Sequence, residues 1–354
     1  MDFTPTEEQA AARDLAARIF GDLSTYERLT AAGTGSDAEL WKALCEAGLV
    51  AAVADTGLLG LVLLLEEQGR TTAQVPFATS CVYGLLAVEA HGSPEQRERL
   101  LPGIGDGTVV VGGALSGPGP GPEARAVASV RTADLSEGRL TGTFPVVPWL
   151  RDATHVLVAD DRRRLWLVRT TEAACEPVEL TAPWSAGRLT LDGTPGERLG
   201  GDSAYEDVLA TARTAFAGLQ AGVCAGSLAR AVEHTNAREQ FGRPLAAKQG
   251  VQLRAADAHM DTEAIRVTAY EAAWRRDEGL AYATEALTAA WWASEAGQRV
   301  VHAGQHLHGG TGADLEHPVH RHFLWGRQLD AYLGYGGEVL QELGELIVNG
   351  EAET

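Results

Sequence analysis

Arg238-Glu239-Gln240-Phe241-Gly242-Arg243-Pro244-Leu245 stands between two long helical patterns, about Glu206 to Glu239 before it and Leu245 to Arg276 after it. Glycine and proline punctuate a helix, so the octapeptide predicts a turn that closes one long helix and opens the next. Taken alone, an arginine beside such a turn is a solvated cap with a hydrophobic plug. An arginine fork is also the natural partner of a pyrophosphate, because it presents paired donors to two phosphate oxygens. Gln249 follows one turn further on.

Outward from this turn, helical spacing continues in both directions. A third helix is predicted from about Leu280 to His306, then a glycine loop, then a last helix from about His317 to Val348 with Gly334, Gly336 and Gly337 near its middle. On the N-terminal side the texture changes. Thr108-Val109-Val110-Val111 is β-branched, Ser116 to Pro122 is a run of Gly and Pro, and Thr154 to Ala159, Leu165 to Arg169 and Arg188 to Leu191 read as short strands. Further back, Thr4-Pro5-Thr6-Glu7 predicts a helix start capped by Thr4 with Glu7 closing a capping box. Helices are predicted at Asp37 to Ala47, Gly60 to Gly69, Ala78 to His91 and Pro94 to Leu101. Three domains are expected: 1–106 all-helical, 107–202 β-rich and 203–354 a C-terminal helical bundle. Helices, strands and helices segregated in this order predict an α+β fold and argue against alternating βαβ units.

The 29 Lys and Arg against 48 Asp and Glu give a formal net charge of −19. Such a surface repels phosphate polyanions and acidic membrane faces, which argues against a nucleic-acid ligand but leaves room for one anion in a local basic pocket. The N-terminus carries no basic stretch leading into an apolar core, and runs such as Leu58 to Leu65 are too short to span a bilayer. A cytoplasmic protein without membrane insertion is expected. Cys45, Cys81, Cys175 and Cys224 are far apart, with no CxxC pair, and read as buried thiols in a reducing compartment.

His306-Leu307-His308-Gly309-Gly310-Thr311-Gly312 is the second candidate element. Glycines here serve most simply to end a helix. The functional alternative is close backbone approach to a ligand, with amide groups aimed at it. His302, His306 and His308 lack carboxylate or cysteine ligands at fixed spacing, as do His317, His320 and His322, so no metal site is expected.

In order and spacing these pieces resemble the acyl-CoA dehydrogenase family over essentially the whole chain. The specific matches are the Arg238–Leu245 turn with its glutamine behind it, the His308-Gly309-Gly310-Thr311-Gly312 loop, and Glu316-His317-Pro318-Val319-His320-Arg321. Leu64-Leu65-Glu66-Glu67-Gln68-Gly69-Arg70 and Gly92-Ser93-Pro94-Glu95-Gln96-Arg97, leading to Leu100-Leu101-Pro102, add support. The resemblance implies an N-terminal helical domain, a small central β-domain and a C-terminal four-helix bundle. It also implies α,β-dehydrogenation of an acyl-CoA thioester, in which a carboxylate takes the α-proton and FAD takes the hydride.

Measured against that family, the sequence departs at the base. A gapless count from Pro318 reaches Tyr332-Leu333-Gly334, where the family's commonest branch has a Tyr-Glu-Gly motif. The position used by a second branch falls in Thr211-Ala212-Arg213-Thr214-Ala215, again without a carboxylate. The loop and the aromatic segment that a member uses to cradle its own flavin also depart. They are matched here by Ser116-Gly117-Pro118-Gly119-Pro120-Gly121-Pro122 and Phe144-Pro145-Val146-Val147-Pro148-Trp149, whose prolines remove backbone donors. The elements a member lends to its neighbour's cofactor are kept: Arg238, Gln240, Phe241, Gln249, His306, Gly309 and Gly310. This asymmetry resembles the short, non-catalytic chains of actinobacterial steroid side-chain acyl-CoA dehydrogenases, as does Phe323-Leu324-Trp325-Gly326-Arg327-Gln328. It implies an α2β2 heterotetramer with a sister subunit that carries the catalytic glutamate, FAD held between unlike chains, and an acyl-CoA substrate. Two other readings stay open: a self-sufficient enzyme with a displaced base, Glu338 or Asp330 on the last helix, and a flavin-free scaffold.

Overall fold

Thr6, rather than Thr4, starts the first helix. In the computed structural model its hydroxyl accepts the Gln9 amide proton (3.2 Å), and Gln9 Oε1 accepts from the Thr6 N–H (3.0 Å). The capping box therefore forms two residues later than predicted, with Thr4 and Pro5 outside it. Residues 2–115, 131–134, 138–332 and 334–351 are described, 131–134 and 351 by backbone alone.

The N-terminal helices are α1 (Glu7–Leu23), α2 (Tyr26–Ala32), α3 (Ala38–Glu46), α4 (Val53–Thr71), α5 (Phe77–Thr79), α6 (Ala87–His91) and α7 (Pro94–Gly105). Between α5 and α6 the chain is π-helical over Ser80–Leu86. Asp37 caps α3, and Ser93 with Gln96 forms a capping box on α7. The strands are β1 (Val111–Ala114), β2 (Arg131–Asp134), β3 (Arg139–Val147), β4 (His155–Ala159), β5 (Leu165–Arg169), β6 (Ala174–Pro177), β7 (Gly187–Pro195) and β8 (Glu197–Leu199). The C-terminal part holds α8 (Ala204–Ala237), the two-residue strands β9 (Glu239–Gln240) and β10 (Arg243–Pro244), α9 (Gln249–Asp277), α10 (Ala283–His308), α11 (Val319–Leu329) and α12 (Gly336–Glu351). The order of helices, strands and helices is that of the α+β class expected.

The last helical pattern proves to be two helices. Gly334 sits at φ +117, a conformation closed to other residues, and α11 has already ended at Leu329. Ser294 secures the break: its hydroxyl donates to Asp330 Oδ1 (2.7 Å) and accepts from the Gly336 N–H (3.0 Å). Asp330 and Glu338 thus stand on opposite sides of a break and not on one helix. The thiols differ too: Cys81 and Cys224 are buried, Cys45 is half-buried and Cys175 is exposed on β6.

By packing, the chain forms two units. One comprises Glu27–Leu61 and Gln74–Ala212. Its sheets are ordered β1-β4-β5-β8, with β1 parallel to β4, and β2-β3-β7-β6, which is antiparallel throughout. Leu140, Phe144, Val147, Val156, Val158, Trp166, Leu189 and Leu191 are drawn from strands of both sheets and form one buried cluster.

The other unit comprises Met1–Tyr26, Val62–Ala73 and Arg213–Thr354. Helix α8 is long and apolar enough to cross a membrane, but 72 % of its most apolar window is buried, so its apolarity belongs to a core. There α8 and the C-terminal half of α4 meet backbone to backbone. A Cβ at Gly222 would collide with the Glu66 carbonyl, and one at Gly69 with the Leu219 carbonyl. Gly218, Gly222 and Gly226 recur every fourth residue and so line one face of α8. Gly222→Ala should lower unfolding stability by about 1–3 kcal/mol, because the crossing must open to admit the methyl. Gly344→Ala, in α12 with nothing near its Cβ position, should instead raise it by up to about 1 kcal/mol. Urea unfolding of the two variants tests this contrast.

Candidate functional site

Two left-handed residues make the turn after α8. Gln240 and Arg243 pair across the β9–β10 hairpin, and Phe241 (φ +60) with Gly242 (φ +75) forms its two-residue loop. Glycine adopts such angles freely, whereas phenylalanine pays about 1–2 kcal/mol for them. The ring displayed in this way is 90 % exposed, touched from one side by Lys248 Nζ at 4.7 Å from its centroid. The Arg238 carbonyl accepts from the Leu245 N–H (2.9 Å) and closes the base of the hairpin.

The Arg238, Gln240, Gln249 and His306 side chains are all exposed, and none makes a hydrogen bond or ion pair among the described residues. Gly309, at φ +64, and Gly310 are exposed as well, with open space where a Cβ would stand. Stacked imidazoles join the turn to the glycine loop. His234, in the last turn of α8, lies 4.7 Å from His308 at the end of α10, and His317 lies 5.0 Å from His308 on another side. His308 Nδ1 donates to the Gly304 carbonyl (2.7 Å), and burial pushes its pKa below the ordinary histidine value. The fold thus gathers at one end of the bundle an exposed guanidinium, two carboxamides, an imidazole, an aromatic face and a two-glycine stretch with open space at both Cβ positions. That donor set suits the phosphates and flat ring of a nucleotide. Among the described residues no cluster of His, Cys, Asp or Glu side chains is placed to hold a metal ion.

The positions counted as a base lie elsewhere in the same unit. Leu333 falls outside the described residues, but Tyr332 and Gly334 on either side of it do not. With Arg213, Phe216, Ala217, Ala293, Ser294 and others they line a cavity of only about 20 Å³, the space of a single water. The Tyr332 and Phe216 rings meet edge to face at 4.7 Å. Arg213 is buried and holds Glu342 of α12 through two bonds of 2.8 and 2.7 Å. Neither open candidate for a displaced base is unengaged. Asp330 accepts from Ser294 and pairs with Arg327 (3.0 Å), while Glu338 accepts from the Tyr335 N–H at the start of α12 (3.2 Å).

In the strand-rich unit, Ser116 to Pro122 lies outside the described residues. Phe144 to Trp149 is described, and the β3–β7 register slips between Phe144 and Val147, where Pro145 removes a ladder donor. Trp149 follows in a left-handed conformation (φ +55), fully buried and stacked on Trp184, with centroids 4.3 Å apart and planes 23° from parallel.

The profile of acyl-CoA dehydrogenase N-terminal domains matches residues 6–108, and that of acyl-CoA dehydrogenase C-terminal domains matches residues 200–339. The chain belongs to the acyl-CoA dehydrogenase family. Acyl-CoA dehydrogenase FadE27 of Mycobacterium tuberculosis is 33 % identical over 97 % of this chain and 98 % of its own. A chain of the Tcur3481-Tcur3483 steroid acyl-CoA dehydrogenase superposes with TM-score 0.91 at 41 % identity, over 98 % of this chain and 99 % of the other. A chain of the ChsE4-ChsE5 complex from Mycobacterium tuberculosis does so with TM-score 0.89 at 30 % identity, over the same shares. Acyl-CoA dehydrogenases are oxidoreductases that bind FAD, and the exposed turn and glycine loop fit the phosphate-bearing end of such a cofactor.

Sequence reasoning missed Arg213–Glu342 and Trp184. Glu342 lies 129 residues beyond Arg213, which no local pattern spans. For Trp184 one signal was present: eight tryptophans in a chain with only seven phenylalanines. The Arg213–Glu342 pair predicts an asymmetry. Glu342→Gln leaves a buried guanidinium without its counter-charge and should cost about 1–3 kcal/mol. Arg213→Met leaves a carboxylate that water reaches and should cost less. Thermal unfolding of the two variants, side by side, measures the difference.

Proposed function

We propose that this chain is the non-catalytic partner in a heteromeric, FAD-dependent acyl-CoA dehydrogenase. It completes the cofactor site of a sister subunit that carries the catalytic glutamate, in an α2β2 cytoplasmic assembly. The observation that carries this reading is the set of exposed, unengaged side chains at the end of the bundle: Arg238, Gln240, Gln249 and His306, with the displayed ring of Phe241. A monomer gains nothing by holding phenylalanine in a left-handed turn in water, whereas a neighbouring chain gains a flat apolar contact. Arg238 would grip the pyrophosphate of the sister chain's FAD, Gln240 and Gln249 would bond its polar edges, and the open Cβ positions of Gly309 and Gly310 would let the loop backbone come close to it. FAD, when bound, accepts the hydride from the β-carbon of the acyl thioester.

The counted base positions support the same division of labour. Arg213, within the stretch Thr211 to Ala215 where one branch of the family keeps a carboxylate, is committed to Glu342, and the space beside it has no room for an acyl chain. Leucine at position 333 cannot accept a proton. The steroid acyl-CoA dehydrogenase among the similar structures supports a steroid side-chain acyl-CoA as the substrate class, and the ChsE4-ChsE5 complex supports an assembly of unlike chains.

One FAD per pair of unlike chains is the expected stoichiometry, counted by flavin absorbance against protein in the purified complex. Two per pair would defeat the partner-subunit reading. In the same complex Arg238→Ala should weaken FAD binding by roughly tenfold or more, since a charge-assisted bond contributes about 1.5–3 kcal/mol. Unchanged affinity would make Arg238 an ordinary solvated cap.

A further inference from the structure

The stacked tryptophans are held more firmly than a core contact requires. Trp184 sits in two successive tight turns, its N–H bonded to the Ala182 carbonyl (2.8 Å) and its carbonyl to the Ala186 N–H (2.8 Å). On one side of it the Pro183 carbonyl accepts from Gln74 Nε2 (2.7 Å), and that fully buried amide also bonds the Gly33 and Gly35 carbonyls. On the other side Ser185 donates to Asp152 Oδ2, which also takes the Ser36 hydroxyl (2.7 Å), and the Ser185 carbonyl accepts from the Arg151 N–H (3.2 Å). Asp152 is three residues from Trp149, so one carboxylate ties the loop carrying one indole to the turn carrying the other. Trp149 meanwhile keeps a backbone conformation that persists only where its surroundings over-determine it.

We infer that Trp184 is a built-in substitute for a planar cofactor ring, seated on Trp149 and bolted there by Gln74 and Asp152. This rests on the reading of the chain as a family member that completes its sister's flavin site and builds none of its own. Two near-parallel rings about 4 Å apart with no water between them make the arrangement an aromatic host makes with a flat heterocycle. An internal ring supplies the contacts that a bound one would, so this unit keeps a dry, packed core with no flavin in it. The loop cannot swing aside to admit a ring from solvent without breaking the bonds on both of its flanks at once.

Removing the substitute should reopen the seat, because an apolar cavity left by a deleted ring binds a ring of matching shape. The test uses the purified complex with its sister subunit and lumiflavin, a flavin ring without phosphates, followed by fluorescence quenching. The unaltered complex should show no saturable lumiflavin binding, whereas Trp184→Gly should bind it and quench it. Adding Trp149→Ala should then weaken that binding by roughly two- to tenfold, the range of one aromatic pair. If Trp184→Gly does not fold, Trp184→Leu, which keeps an apolar side chain on the loop, should gain lumiflavin binding in the same assay. Equal binding by variant and unaltered complex overturns the inference, as does a folded variant that takes up indole but refuses lumiflavin. Such a refusal in a complex with one FAD per pair leaves the partner-subunit reading standing. Two FAD per pair would defeat that reading whatever the variants bind.

Discussion

Helices α4 and α8 cross with backbone against backbone, and the helical unit is arranged around that contact. Any side chain at Gly69 or Gly222 would push the pair apart, so the two positions fix how deep α4 lies on α8. The remaining faces of α8 are then committed. Gln220 donates to the Ala293 carbonyl of α10 (3.3 Å) and the Gly326 carbonyl of α11 (3.2 Å) from one buried amide. On α4, Glu66 is buried and burial raises its pKa, but Arg266 of α9 reaches it at 2.9 Å and offsets much of that cost. A buried carboxylate held by an arginine adds little net stability, yet it sets where α9 may lie along α4.

With the helices fixed in this way, their ends define what the unit can offer. Helix α8 ends where His234 stacks on His308, so the turn after α8 and the loop after α10 come to the same end of the bundle. Neither element is a site alone: an arginine in a turn and a pair of glycines after a helix are both ordinary. Their convergence puts the exposed side chains of Arg238, Gln240, Phe241, Gln249 and His306 at one end of the bundle.

The interior shows the converse. Around Tyr332 and Gly334 the helical unit is closed: Arg213 is bonded to Glu342, the Phe216 and Tyr332 rings meet edge to face, and the space left is that of one water. In the strand-rich unit, the segment that begins at Phe144 ends at Trp149, which is covered by Trp184. Charged and aromatic side chains of the chain itself fill both places. The Arg213–Glu342 pair and the stacked rings are contacts within the chain, so they stabilise it without a ligand.

The sequence by itself determined the fold class and the places of the turn after α8 and the glycine loop after α10. Helical spacing, β-branched runs and glycine-proline turns are local signals, and they placed α3, α7, β4, β5, α8, α9 and α10 to within a few residues, apart from α7's later end. The turn from Arg238 to Leu245 and the loop at Gly309 were legible for the same reason, since each is a short contiguous stretch. Boundaries set by competition were not. The first cap moved from Thr4 to Thr6 because Gln9 could answer Thr6, and the last helix broke at Gly334 because Ser294, far away in sequence, bonds both sides of the gap. Only the tertiary structure decided that Arg213 faces Glu342, that Trp149 faces Trp184, and that Cys175 is exposed. Such pairings join residues tens to more than a hundred positions apart, and periodicity carries no information over that distance. They are settled by packing, once the helices and sheets have been brought together.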